Sequence, residues 1–196
     1  DLYFLPHGII LFIIIFSLYI YNLYNYEEKQ FIKNISSQIF LVIYTGGGLS
    51  FAVFLRDLNQ GIFVNTGALW LVLIATWLTD SGAYFVGKKL GKKPMAPVIS
   101  PNKTIAGAVG GVLTTAIFII SAALLFDVYN IYYFIFAFSF PLVAIMGDLF
   151  ESCIKRYFDV KDTGTIIPGH GGILDRFDSF IFTAPFTYYF IILLLG

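Results

Sequence analysis

The chain has 196 residues, 58% hydrophobic and only 12% charged, with a mean hydropathy of +0.82. Soluble domains carry about 25% charged residues, so a water-soluble globule is excluded and an all-α polytopic membrane protein is expected. Net charge is zero with no basic tail, which argues against a nucleic-acid partner, and the lone Cys153 cannot form an internal disulfide.

A membrane helix needs about 20 largely apolar residues. Six stretches qualify. Leu5 to Tyr24 is the first, uncharged and flanked by tyrosines in the manner of an aromatic belt. It has no basic leader and no small-residue cleavage site, so it is not read as a signal peptide. The chain begins with Asp1 rather than Met, and a missing N-terminal part is compatible with that. After a polar turn over 27–34, Ile35 to Leu55 is the second span. Its Gly46-Gly47-Gly48 run weakens a helix and permits close packing, the favoured reading, or a backbone break near a ligand. The third span, Gly67 to Gly87, carries Asp80 near its second end. An ionisable group in a span is a functional residue by default, although pairing with a nearby lysine at the headgroup level explains it equally well.

A basic loop over 88–104 follows, with Lys88, Lys89, Lys92 and Lys93 and then Ser100-Pro101-Asn102-Lys103-Thr104. Such lysines meet anionic lipid headgroups, and Lys103 with its neighbouring hydroxyls suits a phosphate. The fourth span, Ile105 to Phe126, has Gly107 and Gly111 four residues apart, a spacing for close helix approach. The fifth runs from Ile131 to about Phe150 and should kink at Pro141. The sixth is Phe177 to Leu195, entered through Asp175 and Asp178. Residues 1–66 are read as an N-terminal packing or interface region and 67–196 as the region that carries the polar residues, with polar loops 88–104 and 151–176.

Six spans leave five loops. The first, third and fifth hold eleven of the twelve bases, and the other side has only Arg56. The positive-inside rule puts those three loops in the cytoplasm. The polar ends of spans three to six then share one face.

Residues 148–178 hold six of the twelve acids and four of the twelve bases. Asp148, Glu151, Ser152 and Lys155 share one face of a helix, and Asp175 and Asp178 share another. Carboxylates beside Lys and Arg, with a glycine-rich turn feeding a helix start, suit a metal-bound polyphosphate.

Ser152-x-x-Lys155-Arg156-x4-Lys161-Asp162-x5-Pro168-Gly169-His170-Gly171-Gly172-x2-Asp175-Arg176-x-Asp178 resembles the signature of the phosphatidate cytidylyltransferases (CDP-diacylglycerol synthases). Asp80-Ser81-Gly82-Ala83-Tyr84-Phe85-x-Gly87 and Ser100 to Thr104 look like two further blocks of that family. The resemblance covers residues 80–180. It departs at Ala106, where the family usually has an acidic or amide side chain. It implies a bacterial multi-pass inner-membrane enzyme whose active site faces the cytoplasm. CTP and phosphatidate give CDP-diacylglycerol and pyrophosphate with Mg²⁺; a second, monovalent cation and a homodimer are left open. It implies Asp148 and Asp175 as metal ligands. Asp148, Asp175, Lys155, Arg156 and Asp178 serve catalysis, and Asp80, Ser100, Lys103, Thr104, Lys161, His170, Gly171, Gly172 and Arg176 bind substrate. The attacking group is a phosphate oxygen, so no strong general base is needed and His170 is as well suited to a structural or hydrogen-bonding role.

Two other readings compete. A CTP-dependent lipid kinase of the same superfamily would attack the γ-phosphate. A transporter would keep its acids near the bilayer midplane, whereas here they gather at one face.

Overall fold

The computed structural model describes residues 4–59, 66–128, 130–165 and 172–195, and they are mostly helical. Helices α1 (Phe4–Tyr24), α2 (Phe31–Val42), α3 (Gly48–Arg56), α4 (Gly67–Leu90), α5 (Ile105–Leu125), α6 (Ile131–Tyr157) and α7 (Leu174–Phe190) are joined by one hairpin, β1 (Pro94–Ala96) with β2 (Ser100–Thr104). Two π-helical turns, Ile43–Gly47 and Ile191–Leu195, extend α2 and α7.

Five segments are long and apolar enough to cross a membrane: Phe31–Arg56, Gly67–Leu90, Ile105–Leu125, Ile131–Tyr157 and Leu174–Leu195. Leu11–Tyr24 is a shorter apolar helix. The outward side chains of these spans are large and apolar, for example Trp77, Phe85, Ile117, Leu142 and Met146. Many of the buried ones are small: Ala68, Ala75, Ala116, Ala137, Ala144 and Ala184. That inversion suits a chain whose solvent is hydrocarbon, where small residues draw helices together.

The chain divides into two compact units, residues 1–47 and 48–196. In the first, α1 and α2 are tied by Asn22, which donates to the Gln38 side chain at 2.6 Å. Gly46 and Gly47 of the triglycine run fall in the π turn at Ile43–Gly47, and Gly48 opens α3. It also serves packing: a Cβ at Gly48 would lie 2.5 Å from Ile181 Cγ2, so α3 lies directly on α7.

The second unit is built around α4, which touches α3, α5, α6 and α7. Its closest partner is α5. A Cβ at Gly107 would lie 2.7 Å from the Ala83 carbonyl oxygen, and one at Gly111 2.7 Å from that of Thr79. Gly110 admits the Val86 side chain. The two backbones therefore meet where the Gly107/Gly111 spacing predicts. Hydroxyls mark the same seam: Thr79 and Thr115 are 2.7 Å apart, and Thr76 and Thr183 join α4 to α7 at 3.4 Å. Phe136, Phe140, Phe180 and Ile191 fill the core beside it.

Several boundaries differ from the sequence reading. Lys88 and Lys89 belong to the last turn of α4, where they favour the negative end of its dipole. The expected basic loop contains a hairpin, with Pro94 paired to Thr104 and Ala96 to Ser100. Three prolines argue for a loop, but a two-stranded sheet is all edge and tolerates them. Helix α6 runs seven residues past Phe150, because Glu151, Ser152 and Lys155 turn toward other helices rather than water. It ends with Asp159 in the left-handed region (φ 53°). There Val160 N–H reaches the Lys155 carbonyl at 2.9 Å and Asp159 N–H that of Arg156 at 3.1 Å, a Schellman stop.

Candidate active site

Three helices and the hairpin bring the polar residues together. Helix α6 supplies Asp148, Glu151 and Lys155, three and four residues apart and so on one face. Helix α7 supplies Asp175 and Asp178 from its first turns. Helix α4 supplies Asp80 from its second half, ten residues before its end at Leu90. Strand β2 supplies Lys103, immediately before Thr104. Thr104 caps α5 by accepting the Gly107 N–H at 3.1 Å. Lys103 is thus rooted at the start of a helix fixed against α4.

Asp148, Glu151 and Asp178 each offer a carboxylate oxygen, all within 4.8 Å of one another. This cluster could hold a metal ion. The Glu151 side chain is fully buried, and its Oε1 has no hydrogen-bond partner among the described residues. A buried carboxylate oxygen without a donor is costly, and a cation facing it would relieve that cost. The donors are all hard oxygens, the set that Mg²⁺ and Ca²⁺ prefer.

Lysines bracket the cluster. Lys103 pairs with Asp148. Lys155 donates to Glu151 Oε2 at 2.9 Å and to Asp175 Oδ1 at 2.8 Å. The other oxygen of Asp175 accepts from Thr163 N–H and Thr163 Oγ1, both at 2.9 Å, and from Gly172 N–H at 2.8 Å. Asp175 therefore stands one ammonium away from the three-acid cluster, and it also ties the turn at Thr163 to the start of α7.

A cleft of about 550 Å³ opens beside Asp148. Asp80, Ser100, Asn102, Lys103 and Thr104 give it a polar wall; Ala83, Tyr84, Met95, Ala108 and Ile145 give it an apolar one. Arg156 donates its Nε to the Ile99 carbonyl at 3.1 Å, which anchors the hairpin turn to the end of α6.

The sequence-derived residues thus fall into groups. Asp80, Ser100, Lys103, Thr104 and Asp148 line the cleft. Lys155, Asp175, Gly172 and Asp178 stand in or around the acid cluster. Lys161 and Arg176 are exposed. His170 and Gly171 lie outside the described residues. Sequence reasoning put Glu151 on the right face but gave it no role, although its spacing from Asp148 and Lys155 was the available signal. Thr163 and the Ile99 carbonyl had none, since both act across turns.

Comparison with known proteins agrees with the motif blocks. A phosphatidate cytidylyltransferase of Bacillus subtilis (strain 168) is 37% identical over 186 residues, 94% of this chain and 66% of its own length. Those of Staphylococcus aureus (strain COL) and Staphylococcus haemolyticus (strain JCSC1435) are 45% and 42% identical over 141 and 142 residues, 70% of this chain and 52% of theirs. The chain thus spans between about half and two thirds of the length of these curated relatives. Residues 3–194 match the cytidylyltransferase family, and the chain belongs to it.

Proposed function

We propose that this chain carries the site of an integral membrane nucleotidyltransferase that makes CDP-diacylglycerol and pyrophosphate from CTP and phosphatidate with Mg²⁺. The observation that carries the reading is the Asp148–Glu151–Asp178 cluster with a lysine on either side, within otherwise apolar helices. Charges in spans are expensive and mark function.

The reaction brings an anionic lipid phosphate to the α-phosphate of an anionic nucleotide. Mg²⁺, when bound by the acids, supplies charge neutralisation on the phosphates. The chain's own residues position the partners. Lys103, with Ser100 and Asn102 beside it, offers donors to phosphate oxygens in the cleft. The apolar wall at Tyr84, Met95 and Ile145 accepts the glycerol end and first methylenes of a lipid. Lys155 holds Glu151 and Asp175 in fixed relation. The attacking oxygen is already ionised, so no residue has to remove a proton. Asp175 contributes to the metal site in this reading through Lys155 and Glu151. His170, Gly171, Lys161 and Arg176 are assigned to substrate on their motif positions.

The distribution of the bases, eleven of twelve on one side of six spans, supports a cytoplasmic site. The apolar helices and the bacterial relatives support a multi-pass location in the bacterial cell membrane. The test is direct: purified protein with CTP, phosphatidate and Mg²⁺ should release pyrophosphate and form CDP-lipid, and chelator should stop it. Release of CDP instead would favour the lipid kinase. Lipid or ion movement without turnover would favour the transporter.

A further inference from the structure

The two lysines at the acid cluster are not equivalent. Lys155 has two carboxylate partners at 2.9 and 2.8 Å, on Glu151 and Asp175. Its ammonium is well served where it stands. Lys103 has Asp148 as its ion-pair partner, while its Nζ is buried and meets no other partner among the described residues. An ammonium has three N–H donors. A buried one that faces a single carboxylate keeps donors unmet, at a cost in desolvation.

The place it occupies matters. Asp148 is one of the three acids whose oxygens could face a common cation. Lys103 neutralises that acid from the cleft side, and the cleft beyond it has space for phosphate oxygens beside Ser100 and Asn102. A phosphate group offers several acceptors, enough for the donors that Asp148 leaves unused.

The geometry points to Lys103 as a resident counter-cation of the acid site, which trades Asp148 for substrate phosphate when a divalent cation enters. This rests on the nucleotidyltransferase reading and gives Lys103 two successive partners in it. The exchange balances in charge and contacts. The divalent cation takes over the neutralisation of Asp148. The ammonium passes to the nucleotide or lipid phosphate, where its donors are satisfied. Lys155 stays where it is, because both of its partners stay. An acid cluster of formal charge −3 is thereby kept partly neutral before substrate arrives, and the cation that did so becomes a phosphate ligand.

A residue that only binds phosphate, and one that also guards Asp148, differ in sign. Lys103→Met should weaken nucleotide binding in both cases. Only the guard competes with metal. The measurement is Mn²⁺ binding to the full chain in detergent, followed by electron paramagnetic resonance without CTP or lipid. Lys103→Met should bind Mn²⁺ about tenfold more tightly than wild type, while Lys103→Arg should stay near wild type. Equal or weaker Mn²⁺ binding by Lys103→Met overturns the exchange and leaves the nucleotidyltransferase reading intact. Wild-type protein that binds no Mn²⁺, with Asp178→Asn unchanged from it, overturns both. A second measurement needs no variant. Acylation of Lys103 by an amine-reactive reagent, read by peptide mass spectrometry on wild type, should be slow without metal. It should rise several-fold with Mg²⁺ alone and fall again with Mg²⁺ plus CTP. A rate indifferent to Mg²⁺ overturns the exchange even if Lys103→Met does not fold.

Discussion

Thr163 gives both its backbone N–H and its hydroxyl to one oxygen of Asp175, each at 2.9 Å. Gly172 adds a third donor to the same oxygen at 2.8 Å. Lys155 is left to the other oxygen, and through it Asp175 is coupled to Glu151. Hydrogen bonds to a charged group are worth about 1.5–3 kcal/mol. Thr163→Val keeps the shape and the backbone donor but loses the hydroxyl. Turnover should fall roughly tenfold or more, and Thr163→Ser should restore most of it. The check is kcat with saturating substrates; equal rates for the Val and Ser variants would remove the hydroxyl from the site. Gly172→Ala should be worse, since a Cβ there would land on Thr163 Oγ1 and lie 3.0 Å from Asp175 Oδ2.

Asp148→Ala, Asp175→Ala and Asp178→Asn should each leave a folded, inserted protein with little activity. The acids stand at a polar site rather than in the apolar core. Their losses should differ in kind. Asp148→Asn should recover partly at high Mg²⁺, because mass action refills a weakened site. Asp175→Ala should recover less, since it leaves Lys155 with Glu151 alone and releases the turn at Thr163. Titration of activity against Mg²⁺ for each variant separates the two, and superimposable curves would show that Asp148 and Asp175 act alike.

Little of this division could be read in the sequence. The spans were legible because 20-residue apolar runs have few alternatives, and their limits fell within a few residues for α4, α5 and α7. The hairpin was hidden by Pro94, Pro97 and Pro101, which signal a loop until an edge-only sheet is allowed. Glu151 was legible as a face and not as a ligand, since its importance depends on α7 arriving with Asp178. The clasp at Thr163 depends on a chain reversal that no local pattern encodes. The Gly107 and Gly111 contacts, by contrast, were predictable, because a small residue every four positions has one main use in a span.

Gly111→Val should separate α4 from α5. A Cβ there would lie 2.7 Å from the Thr79 carbonyl oxygen, with Ala83 and the Thr79 methyl also close. Overpacking of this kind costs about 1–3 kcal/mol. The detergent melting temperature should drop, and activity should drop with it, because Asp80 sits one residue beyond Thr79 and Lys103 just before α5. Leu113→Val, on the exposed side of α5, is the control and should change neither. A melting temperature unaffected by Gly111→Val would contradict the backbone contact.

Residues 88–104 should face the cytoplasm. The measurement is labelling of single cysteines in intact cells, in a Cys153→Ser background because Cys153 is exposed. A cysteine at Lys92 should resist an impermeant reagent and one at Asn59 should react. The reverse pattern would turn the topology over.

The glycine contact between α4 and α5 also sets an order of assembly. These helices and the hairpin between them are contiguous in the chain, so their interface is complete once Leu125 has emerged during synthesis. Asp80 and Lys103 are then already in place on a finished pair, while Asp148 and Asp178 arrive later on α6 and α7. A chain halted after Leu125 should therefore insert and protect its α4–α5 pair from protease, yet bind no divalent cation. The site's two sides are made at different times, and α7 joins them.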